Sequence, residues 1–194
     1  MTARKSATDR KAEIVEALLV LSDRIGPDRL TTNDIAREVG ITQAAIFRHF
    51  PSKAALWTAA GEVIVARLGE AWGAALEPQT RPRERLRAVV AAQLAQIEAW
   101  PALPVILFSR ELNVENPALR GCFNGALQRF QAHLVEELTE ILPRGALSPA
   151  DAAVFLSSLV QGIAIRWSLG ARGFDLTHEG LRLFDVQLAL IAPE

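Results

Sequence analysis

The sequence predicts an all-α protein of about nine helices. Half of its 194 residues are hydrophobic, aromatic residues make up 6% and tyrosine is absent. Alanine and leucine dominate, and this composition favours helix over strand. Apolar residues also recur at spacings of three and four, as at Ile14, Leu18, Leu21 and Ile25. We therefore expect a helical bundle divided by glycine, proline and capping residues.

Three short helices are predicted within residues 1–53, which we expect to form a domain of their own. The first covers 9–25 and ends at a Gly-Pro turn. The second begins after Thr31 or Thr32, either of which could cap it, and stops at Gly40. These residues carry nine Lys and Arg against seven Asp and Glu. A slight positive charge at this end of the chain is compatible with an anionic partner.

The third helix is predicted from Gln43 to about His49, with Thr42 as its cap. Two short helices joined by a glycine-containing turn form a helix-turn-helix, whose second helix enters the major groove of DNA. Ile46 and Phe50 lie four residues apart and would anchor this helix inward. The other positions would then face outward or lie at the edges, where DNA could contact them.

The outward residues have side chains suited to DNA. Gln43 is the kind of residue that bonds adenine, and the small residues Ala44 and Ala45 would let the backbone approach the groove floor. Phe47 also points outward. The candidate phosphate contacts are Arg48, His49, Lys53 and the amide groups at the helix start at Ser52.

Longer helices follow and are expected to form a second domain, residues 54–194. The last two, at 149–169 and 175–191, are apolar on more than one side and so need covering on all sides. We expect one face to meet the core and another to meet a second copy, so that two helices from each subunit form a four-helix interface. Full burial inside the monomer is the alternative. The expected interface residues are Leu156, Leu159, Ile163, Leu181, Phe184 and Leu188.

The middle helices supply aromatic and polar residues that could enclose a small molecule. Such sites are apolar chambers with a few polar groups, although an aromatic stripe at helical spacing is also typical of plain core. The candidates are Trp100, Phe108, Arg110, Phe123, Phe130, His133, Gln161 and Trp167. Because they are mostly aromatic with limited charge, an apolar or aromatic effector is favoured.

No motif predicts an enzyme, a metal site or a cofactor. The three histidines are scattered, and the sequence has no Gly-rich phosphate loop and no nucleophile elbow. A single cysteine allows no intrachain disulfide, as in proteins of a reducing cytosol. The basic N-terminus lacks the apolar segment of a signal peptide, and no charge-free run of 18 apolar residues occurs. We expect a cytoplasmic protein with no membrane partner.

The stretch "TTNDIAREVGITQAAIFRHFPSKAAL" closely resembles the N-terminal signature of the TetR (tetracycline-repressor) family of transcriptional regulators. The resemblance covers roughly residues 10–57, without an insertion. It implies a homodimer that binds a palindromic operator and whose C-terminal helices enclose an effector pocket. The implied function is that of a ligand-responsive regulator, most simply a repressor. The alternative is a DNA-binding protein of the same fold that acts as an activator or a chromosome-organising factor without an effector.

The resemblance also implies roles for single residues. Thr32 matches the family's phosphate-contacting helix cap, and His49 and Lys53 match its phosphate contacts. The base-reading positions correspond to Thr42, Gln43, Ala44 and Ala45. Phe47 stands where the family usually has tyrosine, so the hydroxyl that would bond a phosphate is missing. Its ring can still pack on a sugar or a thymine methyl group.

Overall fold

The computed structural model describes residues 6–143 and 147–193, which contain ten α-helices and no strand. The helices are Ala7–Ile25 (α1), Thr32–Val39 (α2), Gln43–His49 (α3), Lys53–Leu76 (α4), Pro82–Ala99 (α5), Ala102–Phe108 (α6), Arg110–Glu115 (α7), Pro117–Ile141 (α8), Pro149–Leu169 (α9) and Leu176–Ile191 (α10). The expected all-α class is confirmed. The expected count of about nine is one short. The sequence predicts a single segment around 103–112, but Ser109 caps a new helix there, so that α6 and α7 are separate.

Capping residues set most of the helix starts. Asn116 accepts the backbone N–H of Leu119 at the start of α8, and Ser148 accepts that of Asp151 at the start of α9. The sequence predicts both of these starts, since Asn116-Pro117 and Ser148-Pro149 each place a capping residue before a proline. It also predicts a loop at 143–149, which lies partly outside the described residues.

The described chain divides into two compact units. One comprises the residues up to Val65 together with Val105–Phe123, and the other comprises Ala66–Pro104 and the residues from Asn124 onward. Helices α4 and α8 therefore contribute residues to both. The boundary predicted after residue 53 separates a DNA-binding domain from the rest of the chain, and it stays a prediction.

The first unit is built around the N-terminal helices. Helix α1 packs on α2 and α3, and the side chains of Ile14, Leu18 and Ile35 are at most 2% exposed. Polar contacts connect this core to residues 105–123, and two of them are short. Ser109 donates to Asp28 over 2.8 Å, and Asn116 donates to the Ala54 carbonyl over 2.8 Å. These contacts fix the α6–α8 segment against the start of α4 and the turn after α1.

The second unit has an aromatic centre at Trp72. Its side chain is 1% exposed, and its ring centroid lies 5.5 Å from that of Phe130 and 6.0 Å from that of His133. The indole N–H donates to Gln93, so the one polar atom of this buried ring has a partner. Helix α10 packs on α5 and α9 in the same unit.

Among the described helices, α9 is long and apolar enough to cross a bilayer by length and composition alone, with 44% of the qualifying stretch buried. The α5–α6 pair would qualify only as a single broken span, and its two helices meet at 96°. A core helix of a globular protein meets the same criterion, so this is weak evidence for a span. We expect no spanning segment because the sequence has no charge-free run of 18 apolar residues, whereas α9 qualifies by its length and mean hydropathy.

Helices α4 and α8 approach each other closely at Gly61. A Cβ atom at this position would lie 2.5 Å from Cδ1 of Leu119, a side chain that is fully buried. Gly69 lies later in α4, and a Cβ atom built there would have no atom within 4 Å. A larger residue at the first site would therefore have to displace the buried Leu119 side chain, whereas the second site has room for a methyl group.

We predict that Gly61→Ala lowers the free energy of unfolding by about 1–3 kcal/mol, because the added methyl group overpacks a closed contact. Gly69→Ala is the matched control and should raise it by about 0.5–1 kcal/mol through helix propensity alone. Urea denaturation followed by circular dichroism measures both. Equal effects of the two substitutions would contradict the close approach.

Candidate nucleic-acid interface

The helix-turn-helix is held by caps on both of its helices. Thr31 accepts the N–H of Asp34 at the start of α2, and the Asp34 carboxylate accepts the N–H and hydroxyl of Thr31 in return. These bonds from Thr31 hold the pKa of Asp34 below its usual value. Gly40 ends α2 with φ 71°, a left-handed conformation that favours glycine. Thr42 then caps α3 by accepting the N–H of Ala45.

The inward face of α3 is formed by three residues. Ile46 is 1% exposed and Phe50, just after the helix, is 6% exposed, as the spacing predicted. Ala45 is only 9% exposed and lies on the same inward side. Its methyl group is therefore mostly covered by the domain, and the expectation that this small residue lets the backbone approach the groove floor stays a prediction.

The outward face of α3 has the remaining predicted residues. Gln43, Ala44 and Arg48 are exposed, and Phe47 is 42% exposed, a large value for a phenylalanine in a folded domain. The side chain that lacks the family's usual hydroxyl is thus accessible for packing against a sugar or a thymine methyl group.

The start of α4 adds a second group of candidate contacts. The hydroxyl of Ser52 accepts the N–H of Ala55 over 3.0 Å, which confirms it as the cap of α4. Lys53 is exposed in the first turn, where the partial positive charge of the helix start does not favour a cation. A bound phosphate would neutralise both the Lys53 ammonium group and the partial positive charge of the helix start. His49 is half-buried at the end of α3.

Thr32 has a different place from the one expected. The cap of α2 is Thr31, whereas Thr32 is the first helical residue and is 7% exposed. Its hydroxyl oxygen accepts a hydrogen bond from Nε2 of Gln43 over 2.6 Å. The expected role as a phosphate-contacting cap is corrected to this extent. The contact joins residues eleven apart, so no helical or capping rule applied to the sequence could have found it.

The predicted effector residues are divided between the two units. Phe108, Arg110 and Phe123 belong to the first unit, and the first two are exposed. The other five belong to the second unit, where Phe130 and His133 meet at Trp72, which the sequence analysis did not select. The members of this second group are Trp100, Phe130, His133, Gln161 and Trp167.

Two of these aromatic side chains have partners of their own. The guanidinium of Arg67 lies 4.0 Å from the centre of the Trp100 ring. The indole N–H of Trp167 donates to the Phe174 carbonyl, which fixes the loop after α9. A cleft of about 360 Å³ is present elsewhere in this unit, and none of the predicted effector residues lines it. Its lining residues are Arg83, Arg87, Asp185, Leu188, Ala189 and Ala192.

The predicted interface residues are mostly buried within the single chain. Leu156, Ile163, Phe184 and Leu188 are at most 6% exposed, and Leu159 and Leu181 are half-buried. The four buried residues cannot present a surface to a partner, so this part of the prediction is wrong. The large apolar residues that α9 and α10 do expose are Val154, Phe155, Leu169, Val186 and Leu190.

No group of three or more potential ligands that could hold a metal ion occurs among residues 6–143 and 147–193. Charged side chains form ion pairs in both units, such as Arg24 with Glu38 in the first and Arg182 with Glu179 in the second. Arg182 donates to Glu179 and lowers the pKa of that carboxyl to about 2.

Two family models match the chain. The model for bacterial regulatory proteins of the tetR family matches residues 14–60, which include α2, α3 and the start of α4. The model for the C-terminal part of BetI-type transcriptional repressors matches residues 82–189. The second match alone covers more than half of the chain.

Similar proteins extend the match to nearly the full length. The nucleoid occlusion factor SlmA of Vibrio campbellii is 35% identical over 99% of this chain and 98% of its own. The corresponding protein of Vibrio atlanticus is 31% identical over 98% and 97%. A putative transcriptional regulator of Saccharomonospora viridis in complex with choline has the same fold, with a TM-score of 0.83, 23% identity and coverage of 96% and 100%.

A second solved structure, the regulator FadR of Bacillus subtilis in complex with stearoyl-CoA, has a TM-score of 0.79, 18% identity and coverage of 93% and 98%. At such identities the two structures show a shared fold only. The family models and the full-length relatives go further. On these matches, the chain belongs to the TetR family of bacterial DNA-binding regulators.

Proposed function

We propose that this regulator acts as a homodimeric repressor that reads a palindromic operator with the exposed face of α3. The observation that carries the proposal is the arrangement of α3 itself. Ile46 fixes the helix inward, while Gln43, Phe47 and Arg48 stand exposed on a helix-turn-helix capped at both helices. A major groove is wide enough to admit such a helix.

The proposed contacts divide into base reading and positioning. Gln43 would bond a base edge, and Ala44 and Phe47 would pack against thymine methyl groups or sugars. Thr42 lies at the start of α3, where its exposed side chain is close to the same face. Phosphates would be bound by the residues at the edges, which are Arg48, His49, Lys53 and the amide groups following Ser52.

Dimerisation is proposed through the exposed apolar face of α9 and α10. Phe155 is 49% exposed and Leu190 is 79% exposed, although both lie on long helices whose opposite faces are buried. Helices α9 and α10 pack on each other and together expose five large apolar residues, and exposed apolar surface of this extent favours association. Two helices from each copy would cover one another, and a two-fold axis would match a palindromic DNA site.

An effector is proposed to act by linkage. A ligand that favours a form with the wrong spacing between the two α3 helices lowers the affinity for DNA. DNA must lower the affinity for that ligand by the same factor. Helix α4 begins at the predicted phosphate contacts and continues into the second unit, so a tilt of this helix could couple the two sites. The aromatic residues around Trp72 favour an apolar or aromatic effector. Choline and stearoyl-CoA are suitable first probes.

A second candidate function rests on the full-length relatives named nucleoid occlusion factor. On this alternative the protein binds many chromosomal sites without an effector. Chromatin immunoprecipitation separates the two candidates, since a repressor should occupy a few promoters and a chromosome-organising factor should occupy many dispersed sites. Either function would place the protein in the cytoplasm, with the chromosome.

We predict that DNA affinity falls steeply with salt, by about 10³–10⁵-fold between 50 and 200 mM if six to ten phosphates are bound.

Gln43→Ala should remove about 1–3 kcal/mol of discrimination at one position of each half-site. Lys53→Ala should instead weaken binding to every sequence alike. Fluorescence anisotropy with promoter and random duplexes measures all three effects.

The control for Lys53→Ala is Arg87→Ala, which removes an equal charge from an exposed ion pair with Asp185 in the second unit. This variant should bind DNA as the wild type does. Equal losses of Gln43→Ala on promoter and random DNA would refute base reading by this residue. No preference of the wild type for promoter DNA would refute the local-repressor proposal.

We predict that Phe155→Glu weakens the dimer by at least about 2 kcal/mol, or about thirtyfold, because it buries a charge at the proposed interface. Sedimentation at micromolar concentration should then shift towards the 21.1 kDa monomer. Val114→Glu is the matched control, since Val114 is 62% exposed on α7 in the other unit. If the Phe155→Glu variant remained fully dimeric, that result would contradict the assignment of this face to the interface.

A further inference from the structure

The side chain of Gln43 is already bonded before any DNA is present. Its Nε2 donates to the hydroxyl of Thr32 over 2.6 Å, from the first residue of α3 back to the first residue of α2. The two ends of this bond differ in exposure: Gln43 is exposed and Thr32 is 7% exposed. An accessible, flexible side chain is thus attached to a fixed point in the domain.

The hydroxyl of Thr32 is available for this task because another residue caps the helix. Thr31 accepts the N–H of Asp34 and completes the capping box with that residue. The helix start therefore does not need the Thr32 side chain. Its oxygen accepts from Gln43 instead, and the β-branched side chain of a buried threonine has little rotational freedom. These properties suit an anchor for a second side chain.

The bond also determines what Gln43 can offer to a base. A primary amide has two N–H donors and one carbonyl acceptor, and Thr32 uses one donor. When Thr32 accepts the N–H that points away from Oε1, the other N–H and Oε1 form a neighbouring donor and acceptor pair. Adenine presents the complementary pair in the major groove, with N7 as an acceptor and the N6 amino group as a donor. Holding the amide before binding also reduces the side-chain ordering that readout would otherwise require.

We propose that Thr32 is a positioning residue for sequence specificity, which aims the Gln43 amide at an adenine edge of each half-site. This inference rests on the proposed function of Gln43 as a base-reading residue. It assigns Thr32 a role in discrimination between sequences. A phosphate contact by Thr32 would instead change affinity for all sequences alike.

The test is selection of binding sites from a randomised double-stranded DNA library by four proteins. These are the wild type, Thr32→Val, Thr32→Ser and Gln43→Ala. Thr32→Val removes the hydroxyl while keeping shape and branching, and Thr32→Ser keeps the hydroxyl. We expect Thr32→Val to reduce adenine preference by about three- to tenfold, part of the discrimination that a bidentate contact supplies. The change should fall at the position that Gln43→Ala alters, and Thr32→Ser should restore most of the preference.

A second readout follows the bond without DNA. In the wild type the Nε2 protons of Gln43 should exchange with water more slowly than those of other exposed glutamines, as measured by nuclear magnetic resonance. Thr32→Val should remove this protection and Thr32→Ser should keep it. Thermal unfolding establishes that each variant is folded, and Thr32→Ala replaces Thr32→Val if the valine variant is not.

The outcomes separate the inference from the proposed function. If Gln43→Ala alters one position and Thr32→Val leaves that position unchanged, the inference is overturned and base reading by Gln43 stands. A uniform loss on all sequences for Thr32→Val also overturns it, in favour of a phosphate contact. If the wild type enriches no sequence, the proposed function fails and the positioning role fails with it, whatever the exchange measurement shows.

Discussion

The burial of Ile46 and Phe50 is the constraint on which the interface depends. Both side chains are at most 6% exposed, so α3 cannot turn about its axis without exposing two large apolar groups, at about 1.5–3 kcal/mol each. This cost gives the helix one orientation. The opposite face, with Gln43 and Phe47, then has a defined direction before DNA arrives. The caps at Thr31 and Thr42 fix where the two helices start, and thereby the turn between them.

Local rules predicted much of this arrangement because caps and helical spacings act over three or four residues. Thr42 and Ser52 cap the helices expected of them, and Ile46 faces inward as its spacing requires. Local rules predict less where contacts between distant residues decide. Alanine is small enough for either face, so nothing local placed Ala45 inward. Thr32 meets Gln43 across the turn, beyond the reach of any periodic pattern.

The C-terminal helices show the same limit. A helix that is apolar all round is predicted with ease, but its pattern does not say which side meets the core. Leu156 is fully buried while Phe155, one residue and about 100° around the helix away, is half exposed. The apolar pattern therefore identifies two helices with apolar residues on several sides, but it does not tell the buried residues from the exposed ones. Trp72 illustrates a related limit, because the sequence gives no sign that its ring packs against Phe130 and His133.

The central claim is that two copies of α3 read one two-fold symmetric DNA site. Hydroxyl-radical footprinting of the wild type on its best-bound genomic fragment tests this claim most directly. The account predicts two protected segments, related by an inverted repeat and separated by about one helical turn or a multiple of it. A single protected segment, or two segments without inverted symmetry, would contradict it.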